Sequence, residues 1–190
     1  MLAKTKPGPL EEEYQRIMLY ASGQPNDKTY AAMLASWQME RGVMPDDFGL
    51  GDEVFSELLA HHFPRLEQSS LLLPMRAKDE QRSDEAAELV KLLLMYRTNV
   101  SESEIWMAHI VATACQGQDH LWQDMGLWSR SQLSDLLMCN FPELALLNVK
   151  NMKWKKFLYK QLCITEGIYT CRAPSCEVCA DYANCFASEE

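Results

Sequence analysis

The cysteines of this chain are concentrated at its C-terminal end. The first 114 of 190 residues contain none, whereas four of the seven cysteines follow one another with the spacing C-x4-C-x2-C-x5-C. A disulfide framework usually has an even number of cysteines spread along the chain, so we expect the body to fold on its hydrophobic core. Four thiols so close together instead predict a metal centre. They are Cys171, Cys176, Cys179 and Cys185.

The spacing favours an iron–sulfur species over zinc. Thiolates are soft ligands that suit both Zn²⁺ and iron–sulfur clusters. Zinc modules usually pair cysteines from separated segments, whereas these four are consecutive, so that a zinc ion would fix only its own loop. The C-x4-C-x2-C part matches the spacing of plant-type ferredoxins. Zinc, and clustering without a metal, stay open as alternatives at this point.

The other three cysteines stand singly in apolar helical surroundings. Cys115, Cys139 and Cys163 are each flanked by residues with helical periodicity. A lone thiol in such a setting usually behaves as a small hydrophobe. We predict that all three are core residues rather than metal ligands.

The remaining sequence is helical in pattern almost throughout. Tyr30, Met33, Leu34 and Trp37, for example, follow the i, i+3, i+4, i+7 spacing, and no stretch of useful length alternates as a strand does. We predict an all-α fold: an irregular helical body of six to seven helices with a C-terminal cysteine-rich metal-binding loop. The predicted helices are Leu10–Ala21, Lys28–Glu40, Asp52–His62, Ser83–Arg97, a helix that opens at Ser101 and runs through Ile105 to Cys115, Gln132–Cys139 and Ala145–Glu166.

The chain is predicted to divide into a body and a tail. Residues 1–170 form the helical body, and residues 171–190 form the cysteine-rich cluster-binding tail. Residues 66–82 begin apolar and become almost wholly polar, which makes them the candidate hinge within the body.

Several residues mark expected helix ends. A serine with a glutamate or glutamine three residues later is the pattern of a capping box. It occurs at Ser101 and again at Ser129. We also expect Asp27 to be an N-cap and Gly117 to be the C′ residue of the preceding helix.

Composition excludes several classes of function. The net charge of −9 argues against general nucleic-acid binding and against docking on an anionic membrane. No targeting segment is visible, and the longest apolar run, Ile105–Cys115, is too short to span a bilayer. We therefore expect a protein of the reducing cytoplasm that binds neither nucleic acid nor membrane.

A basic stretch near residue 155 contrasts with the acidic whole. On a helix, Lys153, Lys156 and Lys160 share one face, and Trp154, Phe157, Leu158 and Gln161 share another. The apolar face predicts a core stripe. The lysine face is either simply solvated, or a docking patch whose positive charge balances an anionic cluster or molybdate.

No catalytic arrangement is readable in the sequence. His120 stands near a predicted helix end, where a structural histidine is more common than a metal ligand. His61 and His62 are adjacent, so they point to different helix faces and cannot form an i, i+4 metal pair. We find neither a glycine-rich phosphate loop nor a nucleophile–base pair, and we expect a protein that is not an enzyme.

The cysteine signature and several upstream blocks resemble the NifQ family of nitrogen-fixation proteins. The resemblance is continuous from about Trp106 to Cys185 and looser before that. One departure is Phe186-Ala187-Ser188, where the family pattern has Phe-Gly, but it lies outside the ligand set. The upstream blocks are His120–Leu127, Asn151–Phe157 and Gln161–Cys163.

This resemblance implies a carrier of molybdenum. Family members are thought to hold a molybdenum–iron–sulfur cluster and to supply molybdenum to nitrogenase cofactor-assembly proteins, which build the iron–molybdenum cofactor. Carried over, the cluster ligands are Cys171, Cys176, Cys179 and Cys185. The alternatives are a zinc-stabilised interaction module and a single-cluster iron–sulfur electron-transfer protein.

Overall fold

The computed structural model describes residues 8–71, 83–165 and 185, and all regular secondary structure within them is helical. The prediction of an all-α fold is therefore confirmed for this part of the chain. The α-helices are α1 (Pro9–Met18), α2 (Asp27–Gln38), α3 (Asp52–His62), α4 (Ser83–Met95), α5 (Ser103–Ala114), α6 (Leu121–Asp124), α7 (Arg130–Asn140), α8 (Pro142–Leu146) and α9 (Trp154–Thr165).

The described residues contain nine α-helices rather than six or seven. The two that were not predicted as separate helices, α6 and α8, have four and five residues. A helix of about one turn has no measurable hydrophobic period, so periodicity alone does not detect it. A 3₁₀ turn, Gln68–Ser70, completes the helical content of the described chain.

The predicted last helix, Ala145–Glu166, is wrong. The structure divides this stretch into α8 and α9, joined by residues 147–153. Asn151 has φ 54°, in the left-handed region that interrupts a right-handed helix. The Asn148 side chain further stabilises the turn, since its amide donates to the Met152 carbonyl at 2.9 Å and its oxygen accepts from the Met152 N–H at 2.8 Å.

Two helices form the centre of the core because they are apolar on nearly every side. In α5, the residues from Trp106 to Ala114 are buried except His109 and Thr113, and α2 is buried from Tyr30 to Trp37. Helices that are hydrophobic all round belong inside a protein. Against these two, α1 packs on α2, and α4 and α6 pack on α5; α4 also contacts α9, and α7 contacts α6 and α8.

A buried polar cluster connects three helices inside this core. Nδ1 of His62 on α3 lies 2.6 Å from the Asp27 carboxylate on α2, and its Nε2 lies 3.1 Å from the Ser103 hydroxyl on α5. A carboxylate can only accept, so Nδ1 donates the hydrogen, and in the neutral ring Nε2 accepts from Ser103. Ser103 is fully buried, so this Asp–His–Ser arrangement holds helices together rather than facing a substrate.

The cluster also corrects the expected start of α2. Asn26, not Asp27, is the N-cap, with φ 74°. Asp27 is the first helical residue, and its carboxylate accepts from the backbone N–H groups of Gly23 and Gln24 at 2.7 and 2.8 Å. The Asn26 and Asn140 amides donate to each other, at 2.7 and 3.0 Å, and so join α2 to the end of α7.

Of the two predicted capping boxes, the second has its expected cap. The Ser129 hydroxyl accepts from the Gln132 N–H at 3.2 Å, and α7 begins at Arg130, two residues earlier than predicted. At the first, the N-cap is Glu102 rather than Ser101. The Glu104 carboxylate nevertheless accepts from the Ser101 N–H at 3.2 Å, as it would in a capping box.

The other boundary predictions fall partly outside the described residues. Of the candidate hinge, residues 66–71 are described, and Leu66 and Leu71 are buried against the core. Residues 72–82 lie outside the described chain, as does most of the predicted tail. Among the described residues, no helix is long and apolar enough to cross a membrane.

We predict that His62 makes folding stability depend on pH. Burial lowers the pKa of this imidazole, although its hydrogen bond to Asp27 opposes the shift. The unfolded chain therefore binds a proton more readily, so stability is complete above the ordinary pKa of about 6.5 and falls as the pH decreases below it. Each unit by which folding lowers this pKa corresponds to about 1.4 kcal/mol of unfolding free energy that is lost at low pH.

The substitution His62→Gln tests this prediction, and His61→Gln is its control. Glutamine at position 62 can donate to Asp27 and accept from Ser103 but does not titrate, whereas His61 is exposed. Urea unfolding at pH 8 and pH 5.5 should show a smaller loss of stability for His62→Gln than for the wild type or His61→Gln. Equal losses in all three proteins would contradict the prediction.

Candidate metal centre

The structure describes one of the four predicted cluster ligands, Cys185. This residue is half-buried and packs against the hydrophobic core. Its carbonyl oxygen accepts a hydrogen bond of 2.8 Å from the N–H of Lys153, the residue before α9. Cys171, Cys176 and Cys179 lie outside the described residues.

The position of Cys185 defines where the predicted tail meets the body. Thr165 ends α9, and Cys185 contacts its beginning, so residues 166–184 connect opposite ends of a helix about 18 Å long. Among the described residues, the structure therefore places one predicted ligand, Cys185, at the N-terminal end of α9.

An arginine from α7 fixes the backbone in front of α9. The Arg130 guanidinium donates to the Asn151 side-chain oxygen at 2.7 Å and to the carbonyls of Asn151 and Met152 at 3.3 and 3.1 Å. The indole N–H of Trp154 donates to the Ser134 hydroxyl, also on α7, at 3.1 Å. The segment that receives Cys185 is thus tied to α7 by several hydrogen bonds.

A buried ion pair ties the first turn of α9 to α6. The Lys155 ammonium contacts the Asp124 carboxylate and donates to the Gly117 carbonyl at 2.9 Å. The side chain of Asp124 is 1% exposed and that of Lys155 16%. Burial raises the pKa of Asp124, while the hydrogen bond and charge of Lys155 oppose that shift.

Gly117 has a different role from the one predicted. It lies beyond the C-cap of α5 and does not have the positive φ expected of a C′ glycine. A Cβ atom at this position would overlap the Asp124 carboxyl group. Glycine is needed here because the carboxylate occupies the space that any side chain would take.

The three isolated cysteines have different environments. Cys115 is buried, and burial, together with the charge of Asp124, raises the pKa of its thiol to about 12. It therefore remains a neutral core residue, as predicted. Cys139 is exposed, so its prediction as a core residue is wrong, and Cys163 is half-buried.

The predicted apolar stripe of α9 is confirmed, and the lysine face is only partly solvated. Trp154, Phe157 and Leu158 are buried, and Gln161 is half-buried. Lys156 is exposed, whereas Lys153 and Lys160 are half-buried.

His120 serves a structural purpose in the fold. It is the half-buried N-cap of α6, and its backbone N–H donates to the Gln123 side-chain oxygen at 3.2 Å. This agrees with the prediction that it is a structural histidine. Among the described residues, no group of three or more histidine, cysteine or acidic side chains could hold a metal ion.

Sequence reasoning missed Asp124, Lys155 and Arg130, which hold the N-terminal end of α9. No pattern in the sequence marks Asp124 or Arg130, and Lys155 stands within the basic stretch near residue 155. One signal was available: Lys155 stands between Trp154 and Phe157, and three residues before Leu158, so it borders the apolar face of the helix.

The cysteine donor set fits an iron–sulfur cluster chemically. Four thiolates are the usual ligands of such clusters. The predicted ligand that the structure describes, Cys185, is half-buried, so solvent reaches part of this residue. When bound, a cluster would supply bridging sulfide, a soft ligand to which molybdenum binds.

The fold and the site together define a class of protein. It is a helical body to which the last cysteine of a cysteine-rich segment, Cys185, is hydrogen-bonded. The family model described as NifQ matches residues 29–187, which include all four cysteines of the signature. The chain belongs to the NifQ family, as the sequence resemblance predicted.

Individual relatives agree with the family match. The chain is 49% identical to "Protein NifQ" of Azotobacter vinelandii over 156 residues, covering 77% of this chain and 80% of the relative. It is 36% identical to "Protein NifQ" of Rhodobacter capsulatus over 149 residues, covering 78% and 80%. The match to "Protein NifQ" of Klebsiella pneumoniae is 46% over 81 residues, covering 42% and 48%. No solved structure matches the chain.

We predict that replacing Lys155 by methionine destabilises the protein by about 3–5 kcal/mol, because the buried Asp124 carboxylate loses its partner. The control is Lys156→Met, which removes the next, exposed lysine and should change stability by less than about 0.5 kcal/mol. Urea unfolding followed by circular dichroism measures both.

A double variant distinguishes the effect of an unpaired buried charge from the effect of altered packing. The double substitution Asp124→Leu with Lys155→Met removes both charges, so it should recover much of the lost stability. If Lys155→Met and Lys156→Met lower stability equally, the ion pair does not hold α9.

Proposed function

We propose that this protein is a metal-cluster carrier that supplies molybdenum for the biosynthesis of the nitrogenase iron–molybdenum cofactor. Membership of the NifQ family supports a role in nitrogen fixation. The observation that carries the proposal is the four-cysteine signature within the family match, whose last member, Cys185, accepts a hydrogen bond from the N–H of Lys153 beside α9.

The ligands of the cluster in this proposal are Cys171, Cys176, Cys179 and Cys185. They hold an iron–sulfur cluster, and molybdenum is the cargo that joins it as a molybdenum–iron–sulfur species. A soft sulfur environment retains molybdenum.

The protein acts as a donor in this proposal, without catalytic turnover. Its partners are nitrogenase cofactor-assembly proteins that accept molybdenum, and neither nucleic acid nor membrane is involved. The proposed location is the cytoplasm, where reducing conditions keep the four thiols available for the cluster.

The first test is the metal content of the protein purified without oxygen. We expect a brown protein that contains iron, acid-labile sulfide and molybdenum, with the visible absorption of a cluster. One zinc per chain and no colour, after growth with ample iron and molybdenum, would overturn the proposal in favour of a zinc-stabilised module. Iron and sulfide that never accept molybdenum would instead indicate an electron-transfer protein.

Single substitutions of the cysteines test the ligand set. Changing Cys171, Cys176, Cys179 or Cys185 to alanine should remove most of the bound iron, because each removes one thiolate. Cys139→Ala is the control, since Cys139 is the exposed cysteine of α7 outside the signature. Loss of iron in the control, or its full retention in the four variants, would refute the assignment.

The lysine face of α9 is proposed to balance the charge of the cluster. Lys153 adjoins Cys185, and a cluster with four thiolate ligands is anionic. Reversing Lys153, Lys156 and Lys160 to glutamate should therefore lower molybdenum retention and speed its loss. The control reverses three exposed cations elsewhere, Lys28, Arg65 and Lys91. Equal molybdenum content in both triple variants would exclude this role.

A further inference from the structure

Three aliphatic side chains are exposed together at the corner between α8 and α9. Leu146 is 63% exposed, Leu147 49% and Val149 85%. Single exposed hydrophobic residues are common on protein surfaces. Here three lie within four residues, and clusters of exposed apolar residues mark interaction sites more often than isolated residues do.

This corner, residues 146–150, is held in a defined shape. The N–H of Leu147 donates to the Leu144 carbonyl at 3.1 Å, and the N–H of Asn151 donates to that of Asn148 at 3.0 Å. Asn148 is also bonded twice to Met152 through its side chain. A preorganised surface loses little conformational entropy on binding, so these apolar side chains are presented ready for a partner.

The corner lies in the most basic part of an acidic chain. Between residues 141 and 165, five lysines stand against one glutamate, whereas the whole protein carries a net charge of −9. Lys150 and Lys156 are exposed. An apolar surface flanked by lysines is complementary to an apolar patch that is bordered by carboxylates.

The corner is also continuous with the anchor of the candidate metal centre. The backbone runs from Val149 through Met152 to Lys153, whose N–H holds the Cys185 carbonyl. A partner seated on residues 146–150 would therefore lie beside the end of the cysteine-rich segment. Metal transfer between two proteins requires this proximity, because the receiving ligands must reach the donor site.

We propose that residues 146–150 form the docking surface for the molybdenum-accepting protein. Leu146, Leu147 and Val149 enter an apolar patch of that partner, and Lys150 and Lys156 pair with acidic residues around it. The inference rests on the proposed carrier function and adds the surface by which the acceptor is recognised. Docking raises the local concentration of acceptor ligands at the cluster without any change in the cluster itself.

The test uses the molybdenum-loaded protein and the purified nitrogenase cofactor-assembly proteins. The variant Leu147→Asp with Val149→Asp places two acidic groups on an exposed surface, so we expect its iron, sulfide and molybdenum content to match that of the wild type. Binding to the acceptor should weaken by about 30-fold or more, since two central contacts are lost, and transfer at low concentration should slow accordingly.

Two further variants serve as controls. Leu19→Asp adds a charge at another aliphatic residue, 76% exposed after α1, and should leave transfer unchanged. Lys150→Glu should weaken binding mainly at low salt, because charge complementarity is screened as ionic strength rises. If the double variant folds poorly, Val149→Ser, at the most exposed of the three positions, takes its place.

Each outcome separates this inference from the carrier function. Full transfer by a docking variant would overturn the docking surface and leave the carrier function intact. Absence of transfer by the loaded wild type would overturn both. If free wild-type protein is a dimer that a docking variant converts to a monomer with unchanged transfer, the surface binds a second copy of this chain and the inference is wrong.

Discussion

The buried ion pair between Lys155 and Asp124 connects α9 to the rest of the molecule. Both charges have lost most of their water, so each is favourable only in the presence of the other. Lys155 also donates to the Gly117 carbonyl, where the absence of a side chain makes room for the carboxylate. These contacts hold the first turn of α9 against α6. The backbone at Lys153, which binds Cys185, directly precedes that turn and is held with it.

A similar constraint operates in the centre of the body. Because α2 and α5 are apolar on nearly every side, burial alone does not select how each is rotated about its axis; the hydrophobic effect has no direction. Hydrogen bonds do have direction. The contacts of His62 with Asp27 and Ser103 allow one arrangement of α2, α3 and α5. The arrangement of these three helices thus depends on buried polar groups that lie far apart in sequence.

The distribution of charge divides the molecule into two parts. Most of the chain is acidic, which favours solubility, while five of its ten lysines lie in α9 and the residues that precede it. In the proposed function this basic region serves the anionic cluster and an acidic partner together. A carrier benefits from such an arrangement, since retention and recognition depend on the same end of the body.

Several features were predictable from the sequence because their causes are local. The bounds of α3, Asp52–His62, agree with the prediction, since its apolar period and the following Pro64 are both visible in sequence. The cap at Ser129 depends on a residue three positions away. The family assignment likewise depends on the spacing of the cysteines and nearby blocks. The error at Ala145–Glu166 arose because apolar residues continue through a turn that asparagine side chains stabilise.

The sequence by itself determined the helical class of the described chain, most helix positions and the cysteine signature. Only the tertiary structure decided which polar residues form buried pairs that hold the helices together. Asp124 meets Lys155 across 31 residues, and Asp27 meets His62 across 35. Neither pair has a spacing that a helical period could reveal. The same holds for Cys185, whose contact with Lys153 exists only because the folded body brings the end of the chain back to α9.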